Sequence, residues 1–418
     1  MESGVQSNIS DWTRLPEDLL VAVFGELEIP DLLRSAAVCT SWRSAYRIFR
    51  RLRLPSPKHS PCLLYSSEAC GPDAAMLYCP STGATFHIPM REPGLRLRSL
   101  SPIGSGHGWL VVADEISNLH LINPLTGCHA ALPPITTFPS VEGSLDDQGN
   151  LIYTFSGKSH EPYRLPAVES RDMYERAVLS CSPSAGSACI VLLMHEPFGE
   201  LSFARVGDQR WTQIPADDST GIQPSDAVYS TADGLFYVVR SDGSMHTLDL
   251  NGPNPVTTTI MPEAAMNSEW ADKYVYVVQT PWGDLLQAWR FRDYSEHADD
   301  SNYIDPPVEL NMTELQLYKV DVHGQMLVKV DSVGDHALFL GYNSSMCLPI
   351  NDFPGLKPDC AYVTDDSYDY VNLCKFFKRD IGMWSIAKQT MHSLASTSPP
   401  RDPWLNWPAP IWIVPSLL

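Results

Sequence analysis

The chain has 418 residues, of which 44% are hydrophobic, and its formal net charge is −20. This composition is typical of a globular protein, and no apolar run approaches the ~20 residues of a membrane helix, so we expect no membrane contact. Residues 1–60 hold 8 basic and 7 acidic side chains, whereas the rest holds 21 basic and 42 acidic ones, which argues against nucleic-acid binding through phosphates.

Two features of the sequence indicate where the protein resides. Residues 1–12 lack the basic region followed by an apolar region that marks a secretory signal. The ten cysteines are scattered, none forms a CxxC pair, and no histidine cluster has zinc-ligand spacing. We therefore expect a protein of the cytoplasm, the nucleus or both, with reduced cysteines and no metal or other cofactor.

Three short helices are predicted after a disordered stretch at residues 1–10. Apolar residues recur at intervals of four along one face of the first helix: Leu15, Leu19, Val23 and Leu27. Pro16 suits the first position of this helix. Pro30 is expected to end it and Asp31 to begin the second helix. Thr40 or Ser41 can cap the third.

This helical segment carries more apolar residues than about forty residues can bury among themselves. Some of them must therefore contact something outside the segment. Periodicity leaves two interpretations about equally open. Either the spare face packs against the rest of the same chain, or it binds a groove of another protein.

The order of residues in the segment carries a resemblance. Leu15-Pro16-x-Asp18-Leu19-Leu20, Asp31-Leu32-Leu33 and Val38-Cys39-x-x-Trp42-Arg43 follow one another without a gap, and this pattern resembles the F-box, here over residues 11–54. The resemblance implies docking to an SKP-type adaptor and, through it, to the cullin of an SCF (cullin–RING) ubiquitin ligase. It further implies that nine residues form or support the adaptor-binding surface: Leu15, Pro16, Leu19, Leu20, Leu32, Leu33, Val38, Cys39 and Trp42.

Beyond a proline-rich linker at residues 55–61, the sequence predicts β-strands. Short stretches of β-branched and aromatic residues alternate with turn residues, including Asp233-Gly234, Asp242-Gly243 and residues 123–127. The stretches form groups of about four, one of them comprising residues 151–155, 176–180, 189–194 and 201–206. Such recurring groups predict a degenerate β-propeller of about six blades, with a pair of β-sandwiches as the alternative.

The C-terminal segment is rich in proline and tryptophan and ends in Ile411-Trp412-Ile413-Val414. We predict that these last residues form a final strand that joins the first blade, because that pairing removes an open sheet edge. The alternative is that the proline-rich run before them serves as a ligand for another protein.

Several motifs of the strand-rich part carry a second resemblance. They are Gly106-x-Gly108-Trp109-Leu110, residues 121–127 (LINPLTG), Gly283-Asp284-Leu285-Leu286, residues 334–341 (GDHALFLG) and residues 359–366 (DCAYVTDD). In this order they resemble the KIB-type β-propeller, a plant domain family that commonly follows an F-box. The resemblance implies a mainly β fold, with a three-helix F-box followed by a propeller over residues 62–418.

No stretch has the pattern of a catalytic site. Residues 104–108 (GSGHG) lack the Lys-Ser/Thr of a phosphate-binding loop and precede a strand, so we predict a β-turn there. Asp365 and Asp366, with Asp369 nearby, suggest either a calcium-binding loop or, more simply, an exposed acidic hairpin.

We therefore expect a non-catalytic substrate-receptor subunit of an SCF ubiquitin ligase, whose helices hold the adaptor and whose propeller recruits an unidentified protein target. Two alternatives stay open. In the first, the propeller sequesters or inhibits its partner without degradation. In the second, the protein is an enzyme with convergent carboxylates in the propeller channel.

Overall fold

The computed structural model describes residues 12–27, 29–52, 59–66, 71, 74–89, 97–157, 161–196, 199–215, 222–252, 254–261, 272–296, 308–367, 371, 380–394 and 408–417. The predicted disordered stretch at residues 1–10, most of the predicted linker and the Pro/Trp run before residue 408 lie outside these residues.

Three helices follow a short 3₁₀ turn at Trp12–Arg14: α1 (Glu17–Glu26), α2 (Ile29–Ser35) and α3 (Thr40–Leu52). Both proline assignments were wrong. Pro16 lies immediately before α1, with an extended ψ of 147°, and Pro30 lies in the first turn of α2 instead of ending α1. A proline fits there because the first N–H groups of a helix have no partner within the helix. No helix among the described residues is long and apolar enough to cross a membrane.

The strands form seven sheets in the described part of the chain. The first contains β1 (Cys62–Tyr65), β2 (Ala74–Cys79), β3 (Ala84–Pro89) and the last strand, β28 (Ile411–Ile413). The second contains β4 (Ser101–Gly106), β5 (Trp109–Ala113), β6 (Leu119–Ile122) and β7 (His129–Ala131). The third has three strands, β8 (Val141–Leu145), β9 (Leu151–Phe155) and β10 (Tyr163–Pro166).

The remaining four sheets follow in chain order. The fourth sheet contains β11 (Tyr174–Leu179), β12 (Ile190–His195), β13 (Glu200–Arg205) and β14 (Thr212–Ile214), and the fifth contains β15 (Pro224–Ser230), β16 (Leu235–Arg240), β17 (Met245–Asp249) and β18 (Val256–Met261). The sixth contains β19 (Asp272–Gln279), β20 (Leu285–Glu296), β21 (Val308–Asp321) and β22 (Met326–Val330). The seventh has five strands, β23 (His336–Leu340), β24 (Met346–Pro349), β25 (Cys360–Val363), β26 (Gly382–Ser385) and β27 (Thr390–Ser393). All pairings are antiparallel except that of β23 with β25.

The mainly β prediction is confirmed, and every predicted apolar stretch forms a strand. Five strands were missed, β4, β8, β10, β14 and β24, because they are short or rich in glycine and polar residues. The predicted turn at residues 104–108 is confined to His107 and Gly108, which have positive φ angles, while Gly104 to Gly106 belong to β4. One grouping was also wrong, since residues 151–155 belong to the separate sheet β8–β10. The blade count of about six stays a prediction.

The pairing of the two ends of the strand-rich part is confirmed. Leu63 of β1 lies opposite Trp412 of β28 in an antiparallel register. The Trp412 side chain is fully buried, and its ring packs edge-on against Phe339 at 5.2 Å. The Ser105 hydroxyl donates to the Trp412 carbonyl. The last strand is therefore an edge strand of the first sheet, next to β1, and its side chains are buried.

The second sheet defines two opposite ends of the β-structure. The turn between β4 and β5 approaches the C-terminal segment so closely that a Cβ on Gly108 would lie 2.2 Å from Ser416. The turn between β6 and β7 also contacts the C-terminal segment, because the side-chain amide of Asn123 donates to the Ser416 carbonyl at 3.0 Å. The turn between β5 and β6, which contains Ile116, lies at the other end of β5. The five extended residues of β5 separate it from the turn between β4 and β5 by about 17 Å.

Candidate protein-interaction site

The three helices build a small apolar core of their own. Its fully or nearly buried members are Leu20, Phe24, Leu32, Ala45, Tyr46 and Phe49. Phe24 of α1 is the centre, with its ring 5.6 Å from that of Trp42 and 6.2 Å from that of Phe49. The Trp42 indole N–H also donates to the Trp12 carbonyl at 3.0 Å. This core fixes the three helices against one another.

The nine residues predicted to form or support the adaptor surface occupy different layers of this unit. Leu20 and Leu32 lie inside its core. Leu15, Cys39 and Trp42 are half-buried, and Pro16 is exposed. Leu19 and Val38 point outward, with 49% and 56% of their surface exposed. The side chain of Leu33 lies outside the described part. Pro16, Leu19 and Val38 are therefore the described members available for direct contact, and Leu20 and Leu32 lie beneath the surface in the core.

Of the predicted apolar stripe, Leu19 lies on the outward side of α1, whereas Leu15 and Leu27, at the two ends of the helix, pack against the helical core. Val23, one turn after Leu19, is also exposed, whereas the buried positions of α1 are Leu20 and Phe24. Trp12 is exposed as well. Val23 and Trp12 were not among the predicted adaptor-binding residues. The spacing of four between Leu19 and Val23 was the signal that places Val23 on the same surface.

The helical unit also contacts the β-structure. Leu417 packs against the helical core, and the guanidinium of Arg34 lies 4.6 Å above the ring of Phe86 on β3. The interpretation that the spare face packs on the same chain is thus confirmed in part, and binding to a groove of another protein stays a prediction. One part of the helical surface packs on the same chain, and another part, around Leu19 and Val38, stays exposed.

The contact of Leu417 gives a first testable prediction. The Leu417→Ala substitution should loosen the helical unit by about 1–2 kcal/mol, less than for a fully buried leucine because Leu417 is only partly buried. Amide hydrogen exchange of α1 and α3 should accelerate by about tenfold for each 1.4 kcal/mol lost. Leu417→Met, which keeps the volume, is the matched control. Equal exchange in wild type and Leu417→Ala would contradict the prediction.

A second cluster lies deep within the β-structure and consists of ion pairs. The Asp366 carboxylate accepts a hydrogen bond from Arg176 at 3.0 Å and from the Tyr276 hydroxyl at 2.9 Å. Arg290 lies 3.4 Å from the same carboxylate and donates to Asp380 at 2.9 Å. These groups belong to β11, β19, β20 and the segment after β25, so the cluster ties several sheets together.

Asp226 is the other buried carboxylate of this ion-pair cluster. It lies 3.4 Å from Arg176 and accepts hydrogen bonds from the Ser345 hydroxyl at 2.7 Å and from the Val277 amide at 3.1 Å. Burial raises the pKa of the Asp226 carboxyl to about 6, and the positive charge of Arg176 opposes that rise. A buried carboxylate with this many partners has a structural role in joining β11, β15 and β19.

Both interpretations of the acidic pair were wrong. Asp365 and Asp366 are almost fully buried, so they do not form an exposed hairpin, and Asp366 faces arginines instead of an open cation site. Asp369 lies outside the described residues. Among the described side chains, no group of three or more His, Cys, Asp or Glu residues is arranged to hold a metal ion. The carboxylates do converge, as the enzyme alternative requires, but arginine and tyrosine side chains occupy the space between them.

Comparison with known proteins places both parts of the chain. A family model described as F-box-like matches residues 12–54, and one described as the KIB1-4 β-propeller matches residues 77–385. The F-box protein SKIP23 of Arabidopsis thaliana is 24% identical over 420 residues, covering 96% of this chain and 95% of that protein. The F-box protein At5g25290 of the same plant is 24% identical over 428 residues, covering 95% and 97%.

Neither matching family is described as catalytic. An F-box in front of a β-propeller is the general organisation of an SCF substrate receptor, and both resemblances inferred from the sequence are confirmed. Because the propeller match spans most of the sequence, this chain belongs to the KIB1-4 β-propeller family and carries an F-box-like unit ahead of its propeller.

Proposed function

We propose that the chain is the substrate-receptor subunit of an SCF ubiquitin ligase. The F-box-like helices bind an SKP-type adaptor, the adaptor links them to cullin, and the propeller recruits a protein target. The chain makes and breaks no bond itself. It raises the effective concentration of the target near the ubiquitin-loaded enzyme, and it does so in the cytoplasm or the nucleus.

One observation carries the proposal. The F-box-like unit fills its own core with Leu20, Phe24 and Leu32, yet keeps Leu19 and Val38 exposed. Large aliphatic side chains exposed on a small helical unit are typical of a protein-binding surface. The charge close to them, from Glu17 and Asp18 at the start of α1, is that of a polar rim around such a surface.

The double substitution Leu19→Glu and Val38→Glu should weaken adaptor binding at least tenfold. Each buried aliphatic side chain contributes roughly 1.5–3 kcal/mol, and 1.4 kcal/mol corresponds to a factor of ten. Because both side chains are exposed, the helices should remain folded. Titration calorimetry of the purified chain with a plant SKP-type adaptor measures the loss.

The matched control is Val256→Glu with Val328→Glu, two valines similarly exposed on outer strands of the propeller. This variant should bind the adaptor as tightly as wild type. Leu20 and Leu32 are unsuitable for the test, because charging a core residue unfolds the unit. Unchanged affinity of the Leu19/Val38 variant, with helical circular dichroism retained, would remove the basis of the proposal.

Degradation and sequestration predict different behaviour of the target. If the chain is a ligase receptor, a protein captured by the propeller should accumulate when the proteasome is inhibited. If the propeller only sequesters its partner, the level of that partner should stay the same. Pulse-chase measurement of a captured protein separates the two.

A further inference from the structure

The F-box-like unit and the C-terminal segment occupy one end of the propeller sheets. Ser416 contacts the turns at Gly108 and Asn123, and Leu417 reaches the helical core. β5 begins at that end and runs toward Ile116 at the other. The end of the sheets that contains Ile116 therefore points away from the adaptor-binding helices.

Three exposed aliphatic side chains lie at this far end. Ile116, Leu145 and Val168 are 46%, 67% and 45% exposed, and we call them the far-face patch. Ile116 lies between β5 and β6, Leu145 is the last residue of β8, and Val168 follows β10.

Hydrogen bonds link the three segments that carry these side chains. The Tyr153 hydroxyl of β9 donates to the Ile116 carbonyl at 2.9 Å. The hydroxyl of Ser117 donates to the carbonyl of Ala167, the residue before Val168. The Ala167 amide donates to the Leu151 carbonyl at 3.0 Å, and Leu151 is the cross-strand partner of Leu145. The far-face patch is thus a defined surface on packed strands.

Exposed acidic side chains adjoin each member of the far-face patch in the sequence. Glu115 precedes Ile116, Asp147 follows Leu145 by two residues, and Glu169 follows Val168. Over residues 114–175 the sequence holds nine acidic and three basic residues, a net charge of −6. Two of the basic residues are Arg164 and Arg171, and Arg171 is 3.9 Å from Asp172. An aliphatic surface with a negative rim complements a partner that is aliphatic and positively charged.

We propose that the far-face patch is the target-docking surface and that it binds a segment whose aliphatic side chains are flanked by lysine or arginine. The proposal rests on the receptor function proposed above and adds the chemical class of the target. Aliphatic contacts with Ile116, Leu145 and Val168 provide affinity. The surrounding carboxylates speed association and reject acidic segments.

Three synthetic twelve-residue peptides test the proposal by fluorescence anisotropy with the full chain, alone and bound to its adaptor. The first alternates Leu or Val with Lys or Arg. The second replaces Lys and Arg with Glu, and the third replaces Leu and Val with Ser. We expect the first peptide to bind at least about tenfold more tightly than the other two. The loss of one aliphatic contact, or the reversal of one charge pair, is enough to weaken binding by that factor.

Two variants of the chain assign that binding to the patch. Ile116→Ser, Leu145→Ser and Val168→Ser together should weaken binding of the first peptide at least about tenfold. Val256→Ser with Val328→Ser, which removes exposed valines elsewhere, should leave it unchanged. Substituting Lys for Glu115, Asp147 and Glu169 should shift the preference toward the second peptide.

The outcomes are distinguishable. If the Ile116/Leu145/Val168 variant binds the first peptide as tightly as wild type, if the second peptide binds as well as the first, or if no peptide binds, the docking proposal is overturned. Retention of the adaptor is measured in the same samples. Loss of peptide binding with the adaptor retained overturns only the docking proposal, whereas failure to bind the adaptor overturns the receptor function.

Discussion

We expect the Asp366→Asn variant to lose roughly 3–5 kcal/mol of its free energy of unfolding, the range found when one member of a buried ion pair is removed. Asp366 is almost fully buried and is shared by three arginines. Its carboxylate lies 3.0 Å from Arg176, 3.4 Å from Arg290 and 3.6 Å from Arg292.

Asp366→Asn should lower the free energy of unfolding because the guanidinium groups of the neighbouring arginines stay buried when the negative charge of Asp366 disappears. Arg176 also donates to the Gly341 carbonyl at 2.6 Å and Arg290 to the Thr364 carbonyl at 2.6 Å. These bonds hold both arginines in place, so they cannot turn to solvent. Neutral asparagine keeps the volume of Asp366 but offers one acceptor where two carboxylate oxygens were used.

Chemical denaturation of three variants measures the effect. Asp366→Asn should show the largest loss of free energy of unfolding. Asp380→Asn should lose less free energy of unfolding, because among the described side chains Asp380 forms an ion pair with one arginine, Arg290, and it is partly exposed. Asp293→Asn, on the exposed side of the same strand β20, is the matched control and should stay within about 0.5 kcal/mol of wild type. A cost below about 1 kcal/mol for Asp366→Asn would contradict a structural role for the cluster.

The ion-pair cluster also shows what the sequence left hidden. Arg176 and Arg290 interrupt apolar strands, and a charge within a buried strand requires a partner. That signal was available. The identity of the partner was not, because Arg176 and Asp366 are 190 residues apart and no local pattern relates them. Asp365-Asp366 was consequently read from its neighbours alone, as an acidic hairpin or a calcium loop.

Secondary structure was predictable where it follows local rules. Apolar spacing identified the helices, and β-branched stretches identified most strands, including β28. The pairing of β28 with β1, which was predicted because it removes an open sheet edge, is confirmed. The glycine-rich β4 was missed because its conformation is set by its neighbour. A Cβ on Gly104 would lie 2.2 Å from the Ala177 carbonyl oxygen of β11, so glycine is present there for close packing and not for a turn.

The nine adaptor-binding residues stay a prediction, and the sequence did not show which of them are buried and which are exposed. The sequence places Leu19 and Leu20 side by side in one motif, and only the packing of α3 against α1 decides which is buried. Phe24, with Trp42 and Phe49 around it, sets that choice. Leu20 shares the inner side of α1 with Phe24, and Leu19 faces outward with Val23.

Acidification from pH 7 to pH 4 should destabilise the wild-type protein by up to about 3 kcal/mol through His195 alone. Burial lowers the pKa of the His195 imidazole from 6.5 to about 4. Above pH 6.5 the ring is neutral in both folded and unfolded states. As the pH falls from 6.5 to 4, the unfolded state binds a proton that the folded state excludes, so stability is lost.

The surroundings of His195 explain why the folded protein resists protonation. The ring lies 4.7 Å from that of Phe138, and its Nε2 and the Ser202 hydroxyl are 2.9 Å apart. In denaturation series at several pH values, His195→Gln should show a shallower loss of stability below pH 6.5 than wild type. His323→Gln, at an exposed position, should follow the wild-type curve. Parallel curves for wild type and His195→Gln would exclude this contribution.

Asp226 should act in the opposite direction over the same interval. Its folded-state pKa, raised by burial to about 6, lies above the value of 3.8 for an unhindered carboxyl. Its contribution to stability is therefore fully present below pH 3.8 and is lost as the pH rises through 6. On acidification, the contribution of Asp226 to the stability of the wild type therefore has the opposite sign to that of His195. On acidification from pH 6 to pH 4, Asp226→Asn should lose more free energy of unfolding than wild type, and His195→Gln should lose less. The stability curves of the two variants should therefore diverge from that of wild type in opposite directions.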